Sequence, residues 1–506
     1  MAGGPPGTGP LAHSDIAVRA ARGAMVTMLG QGLKIVTQVL SVVILARLLS
    51  PYAYGLLAMI MAVVGVADIF RDLGLSAAAV QAPELSRAQR DNLFWLNTVF
   101  GLALAIIIFF AAPLLPVFYH QPELTAMTRV IALSFLLSGM STQYRADLTR
   151  RMAFRQLTLV DVIAPSAALL VAIVLALLGA GYWALVVQQV TMFGVTLVLM
   201  VVFAGWLPGR WARNTQMRGF LTFGWHLAGG QIIHYLGSNV DSLVIGLRFG
   251  PGPLGLYNRG FQLLMTPLGQ LRSPLTTVAL PVLSRLQQQR DRFMEYVRLG
   301  QLTMGYTLVA GLGLVLGAVH PVIQILLGPQ WLRMVVIMRC LAVSGMFETL
   351  AFVLYWVYVS RGLVRSLLFF TIFSTVSRAV CVVVGSHWGV NGVAVGFAVS
   401  EVLSWPVSFA WLRRAAELRV RGLIINGLRV LLVTGIIAAA SWAAILPLVE
   451  FNAWLQLAAA IVGAGLVVAV MYLAVRPIRR DIQTVAKSIR VGLTRRGQTR
   501  LSTDHV

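Results

Sequence analysis

The sequence predicts an all-α polytopic membrane protein: about 14 transmembrane helices, arranged as two six-helix lobes related by a parallel repeat, plus two C-terminal helices. Three observations predict it. The first is composition: of 506 residues, 58% are hydrophobic and 11% charged, with a mean hydropathy of +0.82. A soluble domain carries roughly 25% charged residues, so soluble enzymes, disulfide-stapled secreted domains and disordered proteins are excluded. The second is the length of the apolar runs, each near the ~20 residues that cross a bilayer as a helix. The third is the gathering of basic residues into alternate connections, which sets an orientation.

Residues 1–15 are Gly/Pro-rich, and residues 1–20 read as a disordered cytoplasmic N-terminus. No cleavable signal peptide is expected, because the first apolar run is too long and lacks a small-residue cleavage site. Spans follow at 24–46, 53–70, 93–113, 126–143, 158–178, 182–204, 221–247, 259–281, 299–320, 333–359, 366–384, 390–411, 428–447 and 453–475. The first six form an N-terminal lobe (21–218) and the next six a C-terminal lobe (219–420). The last two are an appendage (421–475) before a basic cytoplasmic tail (476–506), read as an amphipathic segment lying on anionic lipid. Pro267 and Pro274 would loosen span 259–281, which suits a bending gate or a tolerated kink. Gly313-x-x-x-Gly317 and Gly392-x-x-x-Gly396 are read as helix-packing faces.

The net charge is +23, and the only lysines are Lys34 and Lys487. In a soluble protein that charge would point to nucleic acid; here its distribution points to topology, and no nucleic-acid partner is expected. The termini and one set of loops hold 31 basic residues, including the groups Arg145–Arg155, Arg285–Arg298 and Arg413–Arg429. The other loops hold Arg47, Arg248, Arg259 and Arg333. Both termini are therefore expected on the cytoplasmic side, with an even number of helices. Neither lysine lies in a phosphate-binding loop of the Walker type, so no built-in ATPase is expected. Cys340 and Cys381 lie in apolar stretches and offer neither a disulfide framework nor metal-ligand spacing. No cofactor and no metal site is expected.

A repeat appears at an offset of 200 residues. ARLLSPYAYGLLAM (46–59) aligns with GLRFGPGPLGLYNR (246–259), matching Pro51 to Pro251, Gly55 to Gly255 and Leu56 to Leu256. The preceding helices agree in polar spacing: Gln31, Lys34, Gln38 and Ser41 against Gln231, His234, Ser238 and Asp241. Both sets fall at i, i+3, i+7 and i+10, one helical face. Six helices separate the copies, so the repeat is parallel, as in transporters with substrate between two similar bundles.

Ionisable residues inside spans are costly and face cavities or each other. Lys34, Glu348, Arg378 and Glu401 all lie 10–12 residues from the expected cytoplasmic ends, about 15 Å deep at 1.5 Å per residue. Arg378 and Glu401, on consecutive helices at equal depth, read either as a structural ion pair or as cavity groups. Lys34 has no carboxylate near it in its helix and is assigned to a cavity. Asp241 reads as a cation or proton site, or as a packing group. Arg259 shares a face with Gln262, Thr266, Gln270 and Ser273, whereas Arg272 points away from that stripe and is expected to pair elsewhere. Histidines such as His226 and His234 are most often packing groups in such helices.

These residues together resemble a family. ARLLSPYAYG, FRDLGLSAAAVQ (70–81), RRMAFRQLTLVD (150–161) and FGWHL…NVDSLVIGLRFGPGPLGLYNRGFQLLMTPL (223–268) resemble Wzx-type polysaccharide and lipopolysaccharide repeat-unit flippases of the multidrug/oligosaccharidyl-lipid/polysaccharide exporter superfamily. The likeness runs over about residues 20–420. It implies a V-shaped, two-lobe transporter in a bacterial inner membrane. The cargo would be an undecaprenyl-pyrophosphate-linked oligosaccharide, moved outward by alternating access coupled to an ion gradient. Lys34, Arg259 and Arg378 would attract the pyrophosphate, and Asp241, Glu401 or Glu348 would be the coupling group. Gln31, Gln38, Gln231 and His234 would line the cavity. Anionic lipid and the polysaccharide polymerase or export machinery are the further partners implied. Two other classes are weighed against this. A drug or organic-cation exporter would want an acidic or aromatic cavity, and a sugar ligase or acyltransferase would want a long catalytic outer loop.

Overall fold

The structure is a computed structural model that describes residues 30, 32–72, 74–82, 85–212, 235, 237–416, 418 and 420–487. Helices are the only regular structure among these residues, as a lipid environment demands, because each helix satisfies its own backbone hydrogen bonds. The chain divides into two units, Met1–Gly255 and Leu256–Val506.

The first unit begins with α1 (32–48), α2 (Pro51–Asp72) and the short α3 (Leu75–Gln81). It continues through α4 (Arg87–Ala111), α5 (Leu114–Tyr119), α6 (Glu123–Arg150), α7 (Phe154–Leu177), α8 (Trp183–Ala204) and α9 (237–249), ending in the first turn of α10 (Pro251–Leu286). Pro51 and Pro251 open α2 and α10, where the missing N–H costs nothing and the fixed φ suits a helix. The two repeat copies meet reciprocally here. A Cβ on Gly55 would overlap the Pro251 carbonyl, and one on Gly255 the Pro51 carbonyl. Farther along, α4 and α6 touch backbone to backbone: a Cβ on Gly101 would sit 2.6 Å from the Phe135 carbonyl oxygen, and one on Gly139 2.5 Å from that of Asn97. Small residues permit this closeness, which drives helix association where lipid removes the hydrophobic drive.

The second unit continues α10, a 36-residue helix that runs unbroken past Pro267, Pro274 and Pro281. Next come α11 (Arg290–Met304), a π-helical turn (Gly305–Val309), α12 (Ala310–Gly317), α13 (Val319–Leu326) and a 3-10 turn (Pro329–Met334). The unit closes with α14 (Val335–Ser360), α15 (Val364–Gly385), α16 (Gly389–Ala416), α17 (Arg421–Ile445), α18 (Ala453–Ala474) and α19 (476–487). Both glycine faces pack as expected, Gly313 and Gly317 against Thr434 and Ala438, Gly392 and Gly396 against Gly385 and Cys381.

Among the described residues each of the fourteen expected spans coincides with helix, the first in its described part, 32–46, the seventh in 237–247, and the ninth over α11, the π-helical turn, α12 and the start of α13. Among the described residues nine helical stretches are long and apolar enough to cross a membrane, and one of these, Val364–Ala416, holds both α15 and α16. Helix α10 misses that standard because its polar stripe lowers its hydropathy. The described part of the tail, α19, is amphipathic. Helix α19 buries Ile478, Asp481 and Val485 against the unit, with Ile478 in one cluster with Val433, Ile437, Ala464 and Met471. Its apolar face therefore rests on protein, and its exposed face carries Arg476, Arg479, Arg480 and Lys487.

Many arginines close helix ends. The last carbonyls of a helix lack partners and carry partial negative charge. Arg150 donates to the carbonyls of Ala79, in the last turn of α3, and Ala82, just past it, both at 2.6 Å, and Arg151 to the Ala204 carbonyl ending α8 at 3.2 Å. Arg361 donates to the Ala416 carbonyl ending α16 at 2.6 Å. Arg151 and Arg361 are counterparts, each the residue that ends its helix. Each precedes a residue with positive φ, Met152 at 53° and Gly362 at 69°. The bonds Ala153 N–H to Leu148 O and Leu363 N–H to Tyr358 O, both 2.9 Å, complete the same Schellman turn at an offset of 210 residues.

Candidate functional site

Among the described residues, the charged groups expected inside the membrane include two ion pairs and one lysine that no described residue pairs with. In the second unit, α10 brings Arg272 to α14: its Nη1 lies 2.7 Å from Glu348 Oε1 and its Nη2 donates to Thr349 Oγ1 at 2.7 Å. Arg272 also lies over the Phe352 ring, 5.5 Å from its centroid. The reason is helical phase: Gln262 and Ser273 occupy the accessible face of α10, and Arg272 the buried one. Helices α15 and α16 bring Arg378 Nη2 to 2.6 Å from Glu401 Oε1, with the guanidinium 4.8 Å from the Phe397 ring centroid. The side chain of Glu401 is 9% exposed and that of Arg378 is 24% exposed. Arg272 with Glu348 and Arg378 with Glu401 thus make two pairs of opposite charge, one between α10 and α14 and one between α15 and α16.

The contact with Glu401 bears on what Arg378 can do. A guanidinium stays charged at any working pH, so any change of charge in this pair falls on Glu401. In this arrangement one face of the Arg378 guanidinium is taken up by Glu401. Arg259, the other arginine expected to bind anion, is buried near the start of α10 and donates to Gln262 Oε1 at 2.7 Å.

In the first unit Lys34 lies half-buried on α1. Among the described residues no hydrogen bond or ion pair holds its ammonium. On the same face, Ser41 accepts a hydrogen bond from Gln188 Nε2 on α8 at 3.2 Å, and Gln38 is half-buried. Asp241 on α9 is buried, and its Oδ1 accepts from the Ser242 N–H at 2.9 Å. Gln31, Gln231, His226 and His234 lie outside the described residues.

Sequence reasoning missed two buried amides. Asn97 on α4 and Gln143 on α6 are fully buried, and among the described residues neither side chain has a hydrogen-bond partner. Leaving such a group unpaired costs about 1–3 kcal/mol. Their position within apolar spans was the available signal. No cluster of three or more His, Cys, Asp or Glu suited to a metal occurs among the described residues.

Fold and site together define a class: a multi-span, all-helical membrane protein that buries opposite charges among its helices. The family model described as polysaccharide biosynthesis protein matches residues 44–336. The chain belongs to that family, in line with the resemblance carried by its motifs. It is 22% identical over 394 residues to the lipopolysaccharide biosynthesis protein WzxC of Escherichia coli (strain K12), covering 76% of this chain and 78% of that one. It is 25% identical over 313 residues to the succinoglycan biosynthesis transport protein ExoT of Rhizobium meliloti (strain 1021), covering 62% and 63%. Its fold is similar to that of the lipid II flippase MurJ in an inward closed conformation. The TM-score is 0.68 at 12% identity, over 89% of this chain and 99% of that one.

Proposed function

We propose that the protein moves undecaprenyl-pyrophosphate-linked oligosaccharide repeat units across the bacterial inner membrane, from the cytoplasmic to the periplasmic leaflet, during surface polysaccharide biosynthesis. The observation that carries this reading is family membership over residues 44–336, seen beside relatives named for lipopolysaccharide biosynthesis and succinoglycan transport. The helical framework supports transport by alternating access of two repeat-related lobes, with both termini on the cytoplasmic side. The surface polymer could be exopolysaccharide, O-antigen or capsule.

Lys34 is the group that attracts the pyrophosphate. A lone cation at mid-bilayer depth costs ~2.5–3.5 kcal/mol on insertion scales, a cost that an anionic headgroup offsets when it arrives. Arg259, and Arg378 once released from Glu401, add donors that suit phosphate geometry. Glu401 is the coupling group: protonating it frees Arg378, so proton entry and headgroup binding are linked through one ion pair. Glu348 and Asp241 are the other carboxylates placed to take part. Gln31, Gln38, Gln231 and His234 line the path. A drug exporter is disfavoured by this basic set, and an enzyme by the absence of a long outer loop in the sequence.

The test is reconstitution in liposomes with a fluorescent undecaprenyl-pyrophosphate oligosaccharide, following its leaflet exchange with and without a proton gradient. Exchange above protein-free vesicles that responds to the gradient is expected. Exchange indistinguishable from protein-free vesicles would overturn the proposal.

A further inference from the structure

Helix α19 roofs a cavity of about 270 Å³ at the arginine-rich end of the second unit. Ala310 of α12, Ile437 of α17, Val468 of α18 and Ile478, Ile482 and Val485 of α19 line it. The two polar residues on its wall are engaged elsewhere: Thr307 donates to the Thr303 carbonyl at 2.6 Å, and Tyr306 Oη donates to Asp481 at 3.3 Å. Water needs two to four polar partners to settle in such a space, and this lining offers it few. Its volume lies just below the ~300 Å³ of the smallest drug-sized pockets, which suits one hydrocarbon chain and not a sugar.

The roof is tied down by charge. Arg429 Nη1 on α17 lies 2.5 Å from Asp481 Oδ2 on α19. Asp481 is thus taken up on the buried side of the helix, while Arg476, Arg479, Arg480 and Lys487 stay exposed on the other. An apolar slot under a row of exposed cations matches one molecule at both ends: an acyl chain below and an anionic head above.

We infer that this cavity is a binding site for an anionic phospholipid, with one acyl chain under α19 and its headgroup on the basic face of that helix. The site does not depend on which cargo is moved, since none of its residues belongs to the charged set described above. Bound lipid would keep α19 seated and make its position responsive to the anionic content of the leaflet.

The experiment uses the full chain, extracted in mild detergent and studied by native mass spectrometry after delipidation. It is followed by rebinding of phosphatidylglycerol or phosphatidylethanolamine from defined micelles. The wild-type chain is expected to retain phosphatidylglycerol, and Ala310→Trp, which fills the slot, to lose that retention by about tenfold or more. Arg476→Glu with Arg480→Glu should remove the preference for phosphatidylglycerol while leaving the slot intact. Should Ala310→Trp fail to fold by its melting profile, Val468→Phe serves as the filler. Four results would overturn the inference: no lipid retained by the wild-type chain, equal retention of both phospholipids, equal retention in the filled variant, or displacement of phospholipid by an isoprenoid phosphate alone.

Discussion

Removing Glu401 while keeping Arg378 separates the two meanings of their ion pair. At an effective dielectric of ~20, opposite charges ~4 Å apart attract by ~4 kcal/mol. The 2.6 Å contact and the 9% exposure of the Glu401 side chain place this pair in that regime. Breaking a buried pair at one end costs ~3–5 kcal/mol, whereas exchanging both partners for apolar residues is neutral or stabilising by ~1–4 kcal/mol. Arg378 is 24% exposed and keeps the Phe397 ring beneath it, so Glu401→Leu is expected at the low end, ~3 kcal/mol. Arg378→Met should lose a similar amount, and the double variant should recover most of it. The assay is a double-mutant cycle on the unfolding midpoint of the purified protein in detergent. Single effects that simply add, within ~0.5 kcal/mol, would refute the pairing argument. Transport by the double variant then decides the role: wild-type flux makes the pair a packing device, and a folded, inactive protein makes it part of the coupling path.

Three further outcomes follow from the structure. Lys34→Ala should leave the melting midpoint unchanged, since no described residue pairs with Lys34, and should lower leaflet exchange by about tenfold or more in the liposome assay; unaltered flux would remove Lys34 from the binding set. Gly139→Val should destabilise by ~1–3 kcal/mol or more through overpacking against the Asn97 carbonyl, seen as a lowered midpoint, and an unchanged midpoint would contradict the close crossing. Arg361→Ala should cost ~1.5–3 kcal/mol by uncovering the Ala416 carbonyl, and Arg151→Ala a comparable amount at Ala204; a null effect on unfolding at both positions would make these contacts incidental.

The spans were legible because each is a long apolar run, and lipid leaves a helix as its main option. The short helices were not. Helix α13 and the 3-10 turn at Pro329–Met334 occupy a connection whose composition resembles the spans beside it. The pairing of Arg378 with Glu401 was legible from equal depth on consecutive helices. Helical phase showed that Arg272 would pair away from its stripe, but its partner, Glu348, lies 76 residues later, and only packing brings the two together. Asn97 and Gln143 went unread because nothing local separates an amide that caps a neighbour from one left open. The tail's basic face was visible in the sequence, whereas the slot that receives its apolar face is built by three other segments.

The doubled turn at Arg151 and Arg361 gives the chain an internal yardstick. One hundred residues separate Pro51 from Arg151, and one hundred and ten separate Pro251 from Arg361. Between those landmarks the second half carries α13 and a 3-10 turn where the first has only α5. A variant made in one half therefore has a matched control in the other, at a position that can be counted to. Exchanging the residues with positive φ, Met152→Gly against Gly362→Met, would ask one backbone question twice in a single protein, with opposite signs expected.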